Sequence, residues 1–256
     1  MLQDMMQNML TYPAWKKIGI QKLHGINTPL FSLRTEASEG IGEFMDLMPL
    51  IDWVQGVGFH ILQILPINDT GYSASPYNAL SSIALNPIFL RLSLLEDIQS
   101  IPIFSETIYS LKKLNQKPKV DYREVRLTKM RCLEKYVAHI EKDPSWKKRL
   151  FDFIDQQPWV KTYALFMALK KKNGQSSWLY WPEEEKNPTS FTDLFAIHEK
   201  ECLFYAFIQL FCYSQCIEIK RYAEKKGVYL KGDIPILLSP DSADVWAERE
   251  NFSVEE

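Results

Sequence analysis

The stretch His60-Ile-Leu-Gln-Ile-Leu-Pro-Ile-Asn-Asp69, continued by Thr70-Gly-Tyr-Ser-Ala-Ser-Pro-Tyr77, decides how the chain reads. Ile61 to Ile67 is a short apolar run of the length of a buried strand. It breaks abruptly into Asn68, Asp69, Gly71, Ser73 and Ser75-Pro76-Tyr77. A parallel strand covered on both faces reads as a continuous apolar run. Polar and aromatic residues just beyond it fall at the strand's carboxyl end, where α/β folds bind ligands.

Upstream, Lys22 to Leu33 reads as a first strand, interrupted at Asn27-Thr28-Pro29, where Pro29 cannot donate to a ladder. Ser38 to Gly42 reads as a loop. Phe44, Leu47, Ile51 and Val54 then repeat at helical spacing. Asp46 is the expected N-cap, which places Pro49 in the first turn, and Gly56 and Gly58 close the helix. Residues 22–69 therefore form an expected strand, helix, strand unit with a parallel pair.

Downstream, Asn86 to Leu92 reads as a further extended piece begun by Pro87. From residue 94 to 200 the composition shifts toward Lys, Glu, Trp and Tyr, with helices expected near 124–142, 145–156 and 158–172. That is too long for a simple βα connection, so residues 94–200 read as a helical insertion between residues 1–93 and 201–256. Glu199 to Lys226 is the longest helical pattern, closed by Gly227. Val228 to Leu238 reads as a strand with Asp233 in its middle, followed by the polar loop Ser239-Pro-Asp-Ser242.

The 256 residues are 46% hydrophobic and 24% charged, which predicts a packed core. The net charge of -2 argues against nucleic-acid binding, which needs clustered positive charge. The basic runs Lys147-Lys-Arg149 and Lys170-Lys-Lys172 read as helix ends. No secretory pattern precedes the first strand, Asp4 being the one charge in the first ten residues. No uninterrupted apolar run reaches a membrane span. A cytoplasmic protein without membrane contact is the expectation. Cys132, Cys202, Cys212 and Cys216 form neither a disulfide framework nor a paired metal motif, so core cysteines and no metal site are expected.

The candidate ligand residues each have two readings. Asp233, a carboxylate in an apolar run, either meets a polar ligand or accepts backbone N–H groups at a turn beside Gly232. Tyr77 either stacks on a flat or sugar-like ligand or anchors its loop. Asn68 and Asp69 either bind ligand or bond their own turn. Trp178, Tyr180, Trp181 and Trp246 are either sugar platforms or core. The four histidines suggest no hydrolase triad.

Three segments in order resemble the amylomaltase (4-α-glucanotransferase) family. The first is Pro29-Leu-Phe-Ser-Leu33 with Gly40-Ile-Gly42 and Leu50-Ile-Asp-Trp53. The second is Leu62 to Tyr72 with Ser75-Pro-Tyr77 and Ala84-Leu-Asn-Pro87. The third is Gly232-Asp-Ile-Pro235 with Ser239-Pro-Asp-Ser-Ala-Asp-Val-Trp246. The resemblance implies an α/β fold, the N-terminal part of a (β/α)8 TIM-type barrel interrupted by a largely helical insertion. It implies retaining transfer of α-1,4-glucan segments between maltodextrins by a carboxylate nucleophile and an acid/base Glu, with no cofactor. By the same resemblance Tyr77 contacts the sugar beside the scissile bond and Asp233 orients substrate. Asn68, Asp69, Tyr72 and Asp241 are further substrate-binding candidates. The family's Arg-x-Asp-His nucleophile motif occurs nowhere in the 256 residues. The expectation is thus an N-terminal portion with no catalytic residue of its own and with an incomplete barrel, inactive and aggregation-prone when alone. A glucan-binding or regulatory module, or a partner chain supplying the missing half-barrel, are the alternatives.

Overall fold

The structure is a computed structural model that describes residues 7–19, 22–236 and 238–253. Within it lies a parallel sheet of β1 (Gly25–Thr28), β2 (Ile61–Ile64) and β3 (Tyr229–Lys231), in that order across the sheet. Gly25 pairs with Ile61 and Ile61 with Tyr229. A Cβ on Gly25 would sit 2.2 Å from the Ile61 carbonyl oxygen, so only glycine lets these strands approach.

Between β1 and β2 runs α2 (Leu47–Gly56), after a short lead-in helix α1 (Tyr12–Ile18). The helical region carries α3 (Phe104–Asn115), α4 (Tyr122–Ile140), α5 (Pro144–Gln156), α6 (Trp159–Lys172), α7 (Glu183–Lys186) and α8 (Phe191–Ile197). The 27-residue α9 (Glu199–Lys225) leads back to β3, and α10 (Ala243–Ala247) follows. Helices α2, α4, α5, α6 and α9 match the expected stretches closely; α3, α7, α8 and α10 had no counterpart in the sequence reading.

The core is continuous from sheet to insertion. Leu62 and Ile64 of β2, Ile51 and Val54 of α2, Val125 and Leu133 of α4, and Phe207, Phe211 and Cys212 of α9 all belong to it. At about 1.5 Å per residue α9 spans about 40 Å, and it packs on α2, α5 and α6. Its most apolar 18-residue window averages a hydropathy of 1.4, which here serves burial in this core. Phe207 and Phe211 stack at 6.0 Å, with Trp146 edge-on to Phe211 at 5.8 Å. Gly227, at φ 69°, ends α9, and the Val228 N–H returns to the Ala223 carbonyl.

Several expectations are corrected. The first strand stops before Pro29, and Leu30–Ser32 turns as a 3-10 helix because the chain there folds back onto Gly42. A Cβ on Gly42 would lie 2.0 Å from the Leu30 carbonyl oxygen. Residues 86–92 are not a strand: Pro87–Phe89 and Leu92–Leu94 are 3-10 turns. Their flanking backbone is satisfied by side chains instead of a ladder. The Gln209 amide bonds both backbone groups of Leu85, at 2.9 Å each, and Gln215 does the same to Arg91, at 3.0 and 2.8 Å. The last strand ends at Lys231, so Asp233 lies beyond it; Leu237 of the expected strand lies outside the described residues, as do residues 1–6. Lys147 to Arg149 fall in the first half of α5, not at its end.

Asp46 does occupy the position before α2, but its carboxylate does not cap that helix. It accepts from the Glu43 N–H at 2.8 Å, from Thr35 and Ser38, and from Arg91. This is one corner of a buried charge cluster. Glu43 pairs with Arg91 at 2.8 Å and with Lys129 of α4, whose ammonium also donates to the Ile88 and Leu90 carbonyls. Glu39 accepts from the Leu92 and Ser93 N–H groups. Three carboxylates thus face two cations. Burial pushes Glu43 up to about 7 against the pull of Lys129, and Glu39 adds to the rise.

Candidate functional site

The carboxyl ends of β2 and β3 each release a polar loop, and the two loops meet. Asp233, two residues past β3, is half-buried; Tyr77, in the loop past β2, is 43% exposed. The Tyr77 hydroxyl donates to Asp233 Oδ2 at 2.9 Å, and Asp233 Oδ1 accepts from the Ile234 N–H at 2.9 Å. One oxygen of Asp233 thus bonds its own turn, and the other is held by the opposing loop. The bond to Asp233 raises the Tyr77 phenol above its ordinary value, so the hydroxyl stays protonated as a donor. The exposed ring leaves a face for a ligand.

The other candidates fall elsewhere. Asn68 is buried, pairs with Leu85 in an antiparallel bridge and donates to the Ser81 carbonyl at 3.2 Å. Asp69 is 0% exposed. Its Oδ1 accepts from Arg126 and from the Gly71 N–H, both at 2.9 Å, and its Oδ2 from Tyr163 at 2.6 Å and Arg126 at 3.3 Å. Asp241 is committed to Lys170 of α6 and to the Trp178 N–H. Tyr72 is exposed, with the Arg126 guanidinium 5.6 Å from its ring centre. Tyr77 and Asp233 are thus the pair brought together; Asn68, Asp69 and Asp241 hold the loops around them.

Of the aromatics, Trp178, Trp181 and Trp246 are core, whereas Tyr180 is exposed. Phe166, Trp181, Phe191 and Trp246 form one cluster, with rings 5.0 to 5.9 Å apart. Trp178 and Trp246 donate their indole N–H groups to the Pro240 and Glu185 carbonyls. Cys132, Cys202 and Cys212 are buried, and burial raises their thiols. Among the described residues no three His, Cys, Asp or Glu side chains gather to hold a metal ion.

Sequence reading missed Arg126 and Tyr163. A signal was present: Arg126 and Lys129 lie on the stripe of α4 that also carries Val125, Cys132, Leu133 and Tyr136, all buried. A cation on an apolar helical stripe requires a buried anion opposite it.

Parallel strands in sequential order, helical crossovers and polar loops that meet at the strands' carboxyl ends define the first part of a (β/α)8 barrel carrying a helical insertion. Residues 28–256 match the glycoside hydrolase family 77 model, described as 4-alpha-glucanotransferase, and the chain belongs to that family. It is 42% identical over 242 residues to a 4-alpha-glucanotransferase of Chlamydia pneumoniae, covering 94% of this chain and 46% of that protein. A rice 4-alpha-glucanotransferase, DPE2, is 34% identical, with 87% of this chain and 24% of that protein covered. The structure resembles amylomaltase from Streptococcus agalactiae in complex with acarbose, with a TM-score of 0.79 at 25% identity, covering 92% of this chain and 48% of that one. The chain thus spans about half the length of the Chlamydia relative it matches, and the barrel is incomplete in it.

Proposed function

We propose that this chain supplies the first strands and one glucan-binding wall of a retaining 4-α-glucanotransferase acting on α-1,4-linked maltodextrins. The observation that carries the reading is the Tyr77–Asp233 pair at the carboxyl ends of adjacent strands. An exposed phenol ring can lie against a sugar face while its hydroxyl, held by a carboxylate, organises sugar hydroxyls. In such an enzyme a carboxylate attacks the anomeric carbon as a Glu protonates the departing oxygen. The glucosyl-enzyme is then opened by the 4-hydroxyl of a second glucan, with the same Glu acting as base. Tyr77 and Asp233 contribute binding and orientation to this sequence, not the nucleophile. The nucleophile and acid/base come from a segment outside these 256 residues.

Two assays test the reading. Titration of the chain with maltoheptaose is expected to show saturable binding that Tyr77→Ala weakens strongly. Incubation with maltotriose is expected to yield neither glucose nor longer maltodextrins. Absence of binding, or disproportionation by the chain alone, would refute the corresponding half of the proposal. The absence of Arg-x-Asp-His from the sequence also favours a second reading, a module that binds glucan without transferring it. Restoration of transfer by a polypeptide bearing that motif separates the two.

A further inference from the structure

Asp69 is the point at which the Tyr77 loop opens and closes. Its carbonyl accepts from the Leu80 N–H at 2.7 Å, which ties the two ends of the 69–80 segment together, and its own N–H donates to the Ala84 carbonyl at 2.8 Å. Its carboxylate organises the first turn through the Gly71 N–H. Thr70 continues inward by donating to the Ser73 carbonyl at 2.8 Å, and the Asn86 amide reaches Thr70 at 3.2 Å.

Among the described residues, no barrel side chain neutralises this buried carboxylate. The cation is Arg126 of α4, whose guanidinium spans both carboxylate oxygens and also reaches Asn86 at 3.2 Å. The remaining donor is Tyr163 of α6. Both helices belong to the insertion. Burial first, and the Asp69 charge beside it second, hold the Tyr163 hydroxyl well above its ordinary value, so it remains a donor. A bidentate guanidinium with a phenol fixes a carboxylate in direction as well as position.

We infer that Arg126 and Tyr163 are positioning residues of the glucan site: through Asp69 they set the 69–80 loop so that the Tyr77 hydroxyl meets Asp233. This gives the helical insertion a task in the barrel's chemistry, that of clamping a sugar-binding loop from behind. The inference rests on the glucan-binding reading of Tyr77, and its test separates the two.

Tyr163→Phe removes one hydroxyl and keeps the ring. Arg126→Lys keeps the charge and loses the fork. Each variant is made in the whole chain, with 3-fluorotyrosine placed at position 77. The readouts are maltoheptaose affinity, thermal melting, and the pH titration of the fluorine resonance. Both variants are expected to weaken maltoheptaose binding about fivefold to tenfold, in keeping with loss of a buried hydrogen bond. The Tyr77 phenol is expected to titrate at lower pH than in the parent, as its bond to Asp233 is lost. A merely stabilising role would lower the melting temperature and leave that titration in place. Parental affinity and a parental Tyr77 titration in Tyr163→Phe would overturn the inference. Should Arg126→Lys fail to fold, Tyr163→Phe decides alone. A parent chain that binds no maltoheptaose overturns the glucan reading, and the fluorine titration still decides the positioning.

Discussion

The Tyr77 hydroxyl and the Asp233 carboxylate are hydrogen-bonded at 2.9 Å across 156 positions of sequence. The bond links the loop that follows the central strand β2 to the one that follows the edge strand β3. Such a link can form only once the sheet has aligned Ile61 with Tyr229. The pair therefore reports correct assembly as well as presenting a ligand surface.

The first prediction concerns that pair. Tyr77→Phe removes the donor and keeps the ring, whereas Tyr77→Ala removes both. Maltoheptaose affinity is expected to fall roughly threefold for the first and at least roughly tenfold for the second, because stacking carries more of the contact than the hydroxyl. Asp233→Asn should match Tyr77→Phe, and the double variant should be no worse than either single one. Simple additivity in isothermal titration would show that the two residues act independently.

A second prediction lies at the β1–β2 seam. Gly25 faces Ile61, and an alanine Cβ there would sit 2.2 Å from the Ile61 carbonyl oxygen and 2.6 Å from its Cβ. The strands would have to part by about an ångström to restore normal contact. Gly25→Ala is expected to destabilise the chain by about 2–3 kcal/mol, as overpacking does, and to lower the melting temperature by roughly 5–10 °C. Gly58→Ala is a different control: its added Cβ meets nothing within 4 Å, but its φ of 79° alone carries strain. A Gly25→Ala melt matching the parent would contradict the seam as described.

These positions show what the sequence could and could not convey. The strand, helix, strand opening was legible because periodicity reports which faces are covered, and Ile51, Val54, Leu62 and Ile64 are all buried. Tyr77 stood out as an aromatic residue just past an apolar run, and Asp233 as a carboxylate within one. The extended reading of residues 86–92 failed because the backbone partners of Leu85, which leads into the segment, and of Arg91 within it are Gln209 and Gln215, which lie 124 positions away and look like ordinary residues of an amphipathic helix. Asp233 was placed inside its strand because Ile234, Ile236 and Leu238 look like core residues, yet Ile234 and Ile236 are exposed. Asp69 looked like a turn residue, and it is one. What local sequence could not reveal is that its carboxylate also receives Arg126 and Tyr163 from two separate helices.

The third prediction is a pH dependence. The Glu43 carboxyl is raised by burial from its ordinary 4.5 to about 7. Between those values the folded chain holds a proton that the unfolded chain has released. Stability therefore falls as pH rises through this window and levels off above it. The slope from this group is at most about 1.4 kcal/mol per pH unit. Glu43→Gln, which cannot titrate, is expected to remove that slope. Urea denaturation from pH 4.5 to 8 measures it, and parallel curves for the parent and Glu43→Gln would show that the proton resides elsewhere.

The last prediction concerns the sheet edge beyond β3. β3 bonds to β2 on one side and has no partner strand on the other among the described residues. Just past it Ile234 and Ile236 are 69% and 80% exposed. Unpaired backbone next to exposed isoleucines is a template for association between chains. The 256-residue chain is expected to self-associate at micromolar concentration. Ile236→Lys, which puts a charge beside that edge, should reduce the scattering several-fold while leaving the far-ultraviolet circular dichroism unchanged. Because Ile236 forms no part of the Tyr77–Asp233 bond, maltoheptaose affinity per folded chain should stay at the parental value. Light scattering of the parent that already matches a monomer of 29.9 kDa would mean that this edge is protected despite its exposure.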